Sequence, residues 1–392
     1  MLPSSEPSFV LAAGLAALIL AAVPVTGSAQ SAGEADPHME TALRVLTTTP
    51  LIDGHNDLPW QIRLNEDAPM DVRAYGIEGR EEGHTDIPRL RAGRVGGQFW
   101  SVYVPTSAIE TGAARFQLEQ MDIAYRMLEE FPEHFELALT ADDVMRVFHA
   151  GKIASLLGME GGHAIENSLG ALRAYYDLGA RYMTLTHNAD LDWAGANSAD
   201  PDAPGLTEFG REVVREMNWL GMLVDLSHVS DRSMADALDV SEAPIIFSHS
   251  SVRALTDHPR NVPDHILDRL PDNGGVIMIT FVPSFVTDEE PATLDDVADH
   301  IDYVRDRVGV EYVGIAGDYD GIVTVPEGLE DVSTYPYLFA ELSRRGWSES
   351  ELRKLAGENV LRVMRDAEAV SARMQRERGP SHATIEELDG DR

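Results

Sequence analysis

The chain has 392 residues, 44% of them hydrophobic, which is long enough for one large domain or two of ordinary size. Its 31 Lys and Arg residues stand against 66 Asp and Glu residues, and the net charge of -35 repels phosphate backbones and anionic lipids. Nucleic acid and a membrane surface are therefore excluded as expected partners. The chain has no cysteine, so its stability must come from its core and any bound metal, not from disulfides.

The first 29 residues are predicted to be an export signal. Residues 9–25 form an almost unbroken apolar stretch, and the small residues 26–29 that follow suit a signal peptidase. Glu6 is the one charged side chain in this segment, so the basic residues that usually precede such a stretch are missing. We expect cleavage after Ala29 and a periplasmic or secreted protein. An uncleaved membrane anchor is the alternative, because the stretch is just long enough to span a bilayer.

Beyond a polar linker at residues 30–40, short apolar runs alternate with longer amphipathic segments over residues 41–371. Eight runs are predicted as buried strands: residues 51–53, 98–104, 153–159, 182–186, 222–226, 245–247, 276–281 and 312–316. Helices are predicted between several of them, for example at residues 231–238 with Ser230 as the cap. This alternation predicts an α/β protein with a closed, TIM-like (β/α)8 barrel. Residues 372–392 are charged and broken by Gly and Pro, so we expect a flexible tail.

Most of the predicted strands end in side chains that are capable of chemistry. In chain order, these ends read His55-Asn56-Asp57, Glu160-Gly161-Gly162-His163, His187-Asn188, Ser227-His228, Ser248-His249 and Asp318-Tyr319-Asp320. In a barrel they converge on the carboxyl-end face, where barrel enzymes have their active sites. Any single histidine could be a structural polar group, but a stable barrel needs no such clustering of histidines and carboxylates. We therefore predict a functional site at this face.

The residue types at this face indicate metal chemistry. Imidazole and carboxylate ligands without thiolates suit zinc, manganese or cobalt. His55 and Asp57 lie two residues apart at a strand end and can bind one ion, while His228 and His249 can bind a second. Glu160 offers a carboxylate that can bridge the two. Two ions about 3.5 Å apart share a hydroxide and hold an attacked carbonyl, which predicts metal-assisted hydrolysis.

Eight longer stretches run in order from about residue 51 to residue 364. They read I-D-G-H-N-D-L-P-W, I-P-R-L-R-A-G-R-V-G-G-Q-F-W-S-V-Y, M-E-G-G-H, R-Y-M-T-L-T-H-N, V-D-L-S-H-V-S, I-I-F-S-H-S-S, R-N-V-P-D and G-D-Y-D-G. Together they resemble the renal-type (membrane) dipeptidases, peptidase family M19. The resemblance implies a barrel with a binuclear zinc site, two Zn²⁺ per chain, that hydrolyses dipeptides. Family members often accept a D-residue at the carboxyl-terminal position, and some open β-lactams.

The resemblance also implies a role for each residue at the matching metal positions. It places His55 and Asp57 on one zinc and His228 and His249 on the other, with Glu160 as the bridging carboxylate. No ligand position is substituted. The chain lacks the cysteines that some animal members use for disulfides and for linking subunits, and its charged C-terminal residues do not resemble a lipid-anchor tail; neither departure touches the chemistry. The family is commonly dimeric, but no interface can be read from the sequence, so a homodimer stays open.

Three further residues are implied to act on the substrate. His187 matches a histidine that binds substrate and polarises the scissile carbonyl or stabilises its oxyanion. Arg260 matches the guanidinium that pairs with the substrate's free carboxylate. Asp318 matches the proton shuttle, which takes a proton from the bridging water and passes it to the leaving amine.

Some interpretations stay open. Asp320 competes with Asp318 for the acid/base role on spacing alone, and His84 and His163 are as readily second-layer or surface residues as functional ones. The nearer alternative function is a related metal amidohydrolase that acts on N-acyl amino acids or β-lactams. The more distant one is a non-catalytic binding or scaffold protein, which the full set of ligands disfavours.

Overall fold

The computed structural model describes residues 36–197 and 205–390, so the signal predicted at residues 1–29 lies outside the described residues. The strands are β1 (Leu51–Asn56), β2 (Val95–Ser101), β3 (Phe135–Leu137), β4 (Ile153–Glu160), β5 (Ala180–Thr184), β6 (Leu223–Asp225), β7 (Ile246–Ser250), β8 (Val276–Thr280) and β9 (Val313–Ala316). The helices are α1 (Pro37–Thr48), α2 (Leu58–Leu64), α3 (Val72–Tyr75), α4 (Ile87–Ala92), α5 (Ala113–Glu130), α6 (Ala141–His149), α7 (Leu169–Asp177), α8 (Glu208–Leu220), α9 (Asp231–Val240), α10 (Asp264–Leu267), α11 (Leu270–Asn273), α12 (Pro283–Val286), α13 (Leu294–Arg307), α14 (Tyr335–Arg344), α15 (Glu349–Arg353), α16 (Asn359–Glu377) and α17 (Ile385–Asp389). None of these helices is both long and apolar enough to cross a membrane.

Eight of the described strands close into a parallel barrel. Hydrogen bonds join β1 to β2, β2 to β4, and each later strand to the next as far as β9, which returns to β1. The additional strand β3 pairs with the first residues of β4, while β5 pairs with the last ones. Helices follow most of the strands, so the predicted closed (β/α)8 barrel is confirmed.

All eight predicted strands are present, displaced by a few residues at most. Strand β3 was not predicted, because a strand of three residues with a single buried side chain, Phe135, contains no apolar run. The helix predicted at residues 231–238 is α9, and the Ser230 side chain accepts a hydrogen bond from the Ser233 amide as a cap should. Local signals therefore located most of the elements that surround the barrel.

The two ends of the domain differ from the prediction. Helix α1 begins at Pro37, inside the predicted linker, and the tail predicted from residue 372 begins inside α16. The buried carboxylate of Glu216 accepts a hydrogen bond from the Ser381 amide at 3.0 Å, and Asp389 accepts one from the Phe209 amide at 3.2 Å. Glu216 and Phe209 both belong to α8, so hydrogen bonds attach the charged segment after α16 to that helix. Its composition gave no sign of these distant partners.

Candidate metal centre

The barrel brings the five predicted metal ligands to one place at the carboxyl ends of its strands. His55 lies within β1 and Asp57 follows it, Glu160 ends β4, His228 comes three residues after β6, and His249 lies within β7. Each of the five is buried, with 6% or less of its surface exposed. These side chains come from four strands, so their meeting is a property of the closed barrel and not of any local motif.

Glu160 lies at the centre of the cluster, and its two oxygens face different partners. Its Oε2 lies 3.7 Å from Nε2 of His55, which is itself 3.2 Å from Oδ2 of Asp57. Its Oε1 lies 3.1 Å from Nε2 of His228 and 3.4 Å from Nε2 of His249. A carboxylate whose two oxygens face different ligand atoms has the arrangement that a bridging ligand requires.

Hydrogen bonds on the outer side of each imidazole turn its Nε2 toward Glu160. Nδ1 of His55 lies 2.9 Å from the Tyr182 hydroxyl, Nδ1 of His228 lies 3.0 Å from Oδ1 of Asn188, and Nδ1 of His249 lies 2.8 Å from Oγ of Ser248. Metal-binding histidines are usually oriented by such partners on the nitrogen that does not bind the metal.

The inner nitrogens are arranged as ligands. Nε2 of His228 and Nε2 of His249 face each other at 2.8 Å, and the buried Nε2 of His55 has no hydrogen-bond partner within the described residues. Two imidazole lone pairs at this separation repel unless a proton or a cation lies at them. The nitrogen and carboxylate donors present thus fit a divalent transition-metal ion.

Among the described residues, three groups of side chains place their ligand atoms within 4.8 Å of one another. They are His55 with Glu160 and His249, Glu160 with His187 and His228, and His55 with Asp57 and Asp318. Glu160 belongs to two of the groups, which suits the bridging position predicted for it. The groups do not by themselves divide the ligands between two ions, so the pairing of His55 with Asp57 and of His228 with His249 stays a prediction.

The electrostatics of the cluster favour a bound positive charge. Burial raises the pKa of Glu160 to about 8. Burial opposes protonation of His55, but the carboxylates of Asp57 and Glu160 outweigh it and raise its pKa to about 10. Burial also lowers the pKa values of His228 and His249 well below the usual range, so both rings are neutral with a lone pair to donate.

A cavity of about 630 Å³ opens over the cluster, and Arg260 lies in its wall. Arg260 is 6% exposed; its Nη2 donates weakly to the His249 carbonyl at 3.4 Å, and the guanidinium lies over the Phe285 ring at 5.3 Å. Its buried Nη1 has no hydrogen-bond partner within residues 36–197 and 205–390. Burial lowers the pKa of Arg260 to about 10, so it stays a cation at neutral pH. An anionic group in the cavity would satisfy it.

His187 lies beside Glu160 at the opposite edge of the cluster from His55. Its Nε2 is 3.6 Å from Oε1 of Glu160, and its ring contacts Tyr103 edge-on at 4.9 Å between centroids. Burial, with the charge of Arg260 second, lowers the pKa of His187 to about 3, so the ring is neutral at physiological pH. A neutral imidazole can donate a hydrogen bond to a carbonyl oxygen without adding a charge to the cavity.

The structure separates the two aspartates that compete for the acid/base role. Asp318 lines the cavity within ligand distance of His55 and Asp57, and burial raises its pKa to about 7. Asp320 does not line this cavity, and its Oδ1 accepts a hydrogen bond from the His84 amide at 2.8 Å. The Asp320 amide in turn donates to Nδ1 of His84 at 3.0 Å. His84 and Asp320 are therefore hydrogen-bonded to each other, and of the two aspartates Asp318 is the one that lines the cavity.

His163, the other open candidate, has a structural environment. Its Nε2 lies 2.9 Å from the Val104 carbonyl, and its ring occupies the space that a side chain at Gly161 would need. Gly161 has a φ of 114°, a conformation that favours glycine. His163 is absent from the cavity wall. It thus supports the turn after β4 without reaching the metal centre.

Three buried side chains that hold the ligands in place were not predicted: Tyr182 behind His55, Asp225 behind Ser248, and Asp53 within β1. The available signal was an Asp inside an apolar strand, in L-I-D and L-V-D, since a buried carboxylate needs several hydrogen-bond donors. Tyr182 gave no such signal because a Tyr in a strand is ordinary.

A parallel (β/α)8 barrel with buried imidazoles and carboxylates at its carboxyl-end mouth defines a metal-dependent hydrolase of the barrel class. The family model for membrane dipeptidase, peptidase family M19, matches residues 39–378. The chain belongs to this family. The predicted membership is thereby confirmed.

Solved structures agree with this assignment. A metallo peptidase from Rhodobacter sphaeroides, liganded with a phosphinate mimic of the dipeptide L-Ala-D-Ala, is 27% identical, with 81% of this chain and 99% of that chain covered and a TM-score of 0.74. The M19 metallo peptidase dipeptidase AC is 29% identical, with 82% and 99% covered and a TM-score of 0.76. The probable dipeptidase PvdM from Pseudomonas aeruginosa, at 24% identity over 85% and 99% with a TM-score of 0.77, shows the fold alone.

Proposed function

We propose that this metallopeptidase hydrolyses dipeptides at a pair of zinc ions held by His55, Asp57, Glu160, His228 and His249. The observation that carries the proposal is the position of Glu160, whose Oε2 faces His55 and whose Oε1 faces His228 and His249, beneath a cavity that Arg260 also lines. When bound, such ions polarise a carbonyl and lower the pKa of a water toward neutrality. The choice of zinc rests on the family.

Arg260 is proposed to bind the free carboxylate of the substrate. Its unpaired Nη1 is a buried donor, and a carboxylate is the anion that a guanidinium binds best. Because Arg260 and the ligand cluster are both fixed by the barrel, the distance between carboxylate and scissile bond is fixed as well. A single cation at that distance selects substrates with one residue beyond the cleaved bond.

His187 and Asp318 are proposed to serve the reacting atoms. The neutral His187 donates a hydrogen bond to the scissile carbonyl oxygen and stabilises the negative charge that develops there. Asp318, with a pKa of about 7, both accepts and releases a proton near neutral pH. It takes a proton from the attacking water and gives it to the leaving nitrogen, so that two amino acids depart.

The binding of the substrate's free carboxylate by Arg260, the carboxylate clamp, also bears on the stereochemistry of the substrate. The Rhodobacter sphaeroides relative binds a mimic of L-Ala-D-Ala. We propose that this chain likewise accepts a D-residue at the carboxyl-terminal position, because Arg260 binds the carboxylate and not the side chain. An N-acyl amino acid carries the same carboxylate, as does an intact β-lactam with a carboxylate next to its ring nitrogen, so a related amidohydrolase activity is the alternative.

A substrate panel separates these functions. Purified protein with two equivalents of Zn²⁺ is assayed on L-L and L-D dipeptides, tripeptides, N-acetyl amino acids and a β-lactam. The proposal expects dipeptides to have the highest kcat/KM and tripeptides to be poor substrates. Faster turnover of N-acetyl amino acids than of any dipeptide would replace it with the amidohydrolase alternative. A metal count near two per chain supports the binuclear centre, and a count near zero in active protein would overturn it.

We also propose that the protein is exported, on the basis of the apolar stretch at residues 9–25 and the small residues that follow. The absence of cysteine suits this location, since no thiol is exposed to oxidation. Expression of the full chain in a bacterial host, followed by fractionation and amino-terminal sequencing, tests the proposal. A mature terminus at Gln30 in the periplasmic or culture fraction is expected, whereas an intact terminus in the membrane fraction would favour the anchor.

A further inference from the structure

Asp225, the last residue of β6, is fully buried beneath the metal centre and does not line the cavity. Four donors surround its carboxylate. Oδ1 accepts from the amides of Ser227 at 3.1 Å and Ser248 at 2.8 Å. Oδ2 accepts from the hydroxyls of Thr184 and, at 2.6 Å, Ser248. Such a set of donors is the environment that a buried carboxylate requires.

The hydrogen bond that Ser248 donates determines which group donates and which accepts along a series of hydrogen bonds from Asp225 to the proposed metal ligand His249. The hydroxyl of Ser248 has one proton, and its nearest acceptor is Oδ2 of Asp225; Oγ of Ser227 is farther away, at 3.5 Å. With that proton donated, Oγ of Ser248 must accept the hydrogen bond from Nδ1 of His249, which lies 2.8 Å away. His249 is then protonated on Nδ1, and its Nε2 keeps the lone pair that faces Glu160.

The other two imidazoles of the cluster have neutral partners. His55 pairs with the hydroxyl of Tyr182, which donates to the Gly54 carbonyl at 3.3 Å, and His228 pairs with the side-chain amide oxygen of Asn188. His249 instead reaches the Asp225 carboxylate through a single hydroxyl, that of Ser248. The Asp225 carboxylate, which is not itself a proposed metal ligand, therefore sets the tautomer of His249.

We infer that Asp225 is a positioning residue that fixes the Nδ1-protonated tautomer of His249 through Ser248, and so sets the metal affinity of the position that His249 serves. The inference rests on the proposed metal centre but not on the proposed substrate. It concerns the polarity of the hydrogen-bond chain, which the carboxylate enforces because it can only accept. Partners of this kind typically change metal affinity by about 10–100-fold.

Asp225→Asn reverses this polarity without changing the shape of the side chain. The amide oxygen must remain at the two backbone amides, so the NH₂ group takes the place of Oδ2 and donates to Ser248. The Ser248 hydroxyl then turns and donates to Nδ1 of His249, which moves the imidazole proton to Nε2. That proton blocks the metal-facing nitrogen, as an Asp-to-Asn change does for the histidine of a serine protease triad.

The test uses two readouts on the full-length protein stripped of metal and then titrated. Nitrogen-15 NMR of labelled histidine reports which ring nitrogen of His249 carries the proton, and Zn²⁺ titration reports the two binding constants. For Asp225→Asn we expect the Nε2-protonated tautomer and about 10–100-fold weaker binding of one of the two ions. Thr184→Val is the matched control, since it removes the other hydroxyl on Oδ2 but leaves the chain to His249 intact.

A double-mutant cycle distinguishes this effect from general damage to the site. Ser248→Ala cuts the chain, so Asp225→Asn should have little further effect on Zn²⁺ affinity in that background, while Ser248→Thr should restore wild-type behaviour. Equal losses in both backgrounds, or an unchanged His249 tautomer in Asp225→Asn, would overturn the inference. If the wild-type protein bound no metal, the proposed function would fail, and the NMR readout would still decide whether Asp225 sets the tautomer.

Discussion

Replacing Arg260 by methionine removes the proposed carboxylate clamp and keeps most of the side-chain stem. The stem matters because Arg260 packs against Phe285 inside the cavity wall. Truncation to alanine would add the effect of a cavity to the effect of the lost charge. We therefore expect Arg260→Met to fold normally and to lose its interaction with the substrate's carboxylate.

The magnitude follows from the burial of the guanidinium. Arg260 is 6% exposed and its Nη1 has no partner among the described residues, so a bound substrate would leave a desolvated carboxylate unpaired in the variant. Breaking a buried charge pair in this way costs about 2–5 kcal/mol. A middle value of about 3 kcal/mol corresponds to a loss of about 100-fold in kcat/KM. Because the contact exists in ground state and transition state alike, the loss should appear mainly as a higher KM.

The assay compares L-Ala-D-Ala with its carboxyl-terminal amide in both proteins. The amide lacks the carboxylate, so wild type and Arg260→Met should hydrolyse it with similar kcat/KM. The effects of removing the substrate carboxylate and of replacing Arg260 should therefore not add. Burial raises the pKa values of Glu160 and Asp318 and the charge of Arg260 opposes that rise, so rates are compared on the plateau of each pH profile. An equal loss on dipeptide and amide, or a fall in kcat with KM unchanged, would refute the clamp.

Asp318→Asn should lower kcat by about 10²–10⁴-fold with little change in KM, whereas Asp320→Asn, whose carboxylate faces His84, should lower it far less. In wild type kcat should fall as the pH drops through about 7, because protonated Asp318 cannot accept the proton of water, and Asp318→Asn should lack this limb. Chelation should abolish turnover and lower the melting temperature, and added Zn²⁺ should restore both; retained activity after exhaustive chelation would contradict the metal centre. Thr140→Ala removes the helix cap that accepts a hydrogen bond from the Asp143 amide, so it should lower the free energy of unfolding measured by urea titration by about 1 kcal/mol and leave kcat/KM unchanged.

The barrel and the ligand set could be predicted because their signals are local. Buried parallel strands appear as apolar runs, and a polar side chain directly after each run marks the carboxyl-end face. His55 with Asp57, and Glu160 at the end of its strand, could be identified from such stretches alone. The meeting of these residues then follows from closure of the sheet, which the number of strands indicates.

What the sequence could not show depends on register and on long-range contacts. The bond between His55 and Tyr182 joins residues 127 positions apart, and the four donors around Asp225 come from three strands and their ends. Neither can be deduced without knowing how adjacent strands are offset. The attachment of residues 378–389 to α8 has the same origin, since Glu216 becomes a partner for that segment only when both lie on the same side of the barrel.

Backbone strain at the mouth of the barrel connects these hidden contacts to the chemistry. His228 and Asp318 have φ values of 66° and 55°, a left-handed conformation that costs a non-glycine residue about 1 kcal/mol or more. Each directly follows a residue whose amide donates to a buried aspartate: Ser227 donates to Asp225, and Gly317 donates to Asp53.

The same arrangement thus occurs on two sides of the barrel. One aspartate holds β6 to β7, which deliver His228 and His249, and the other holds β1 to the end of β9, which deliver His55 and Asp318. Strain of this kind persists where surrounding bonds over-determine the backbone. Asp53 and Asp225 supply those bonds, so the strand ends turn toward the metal centre because buried carboxylates beneath them hold the turn in place.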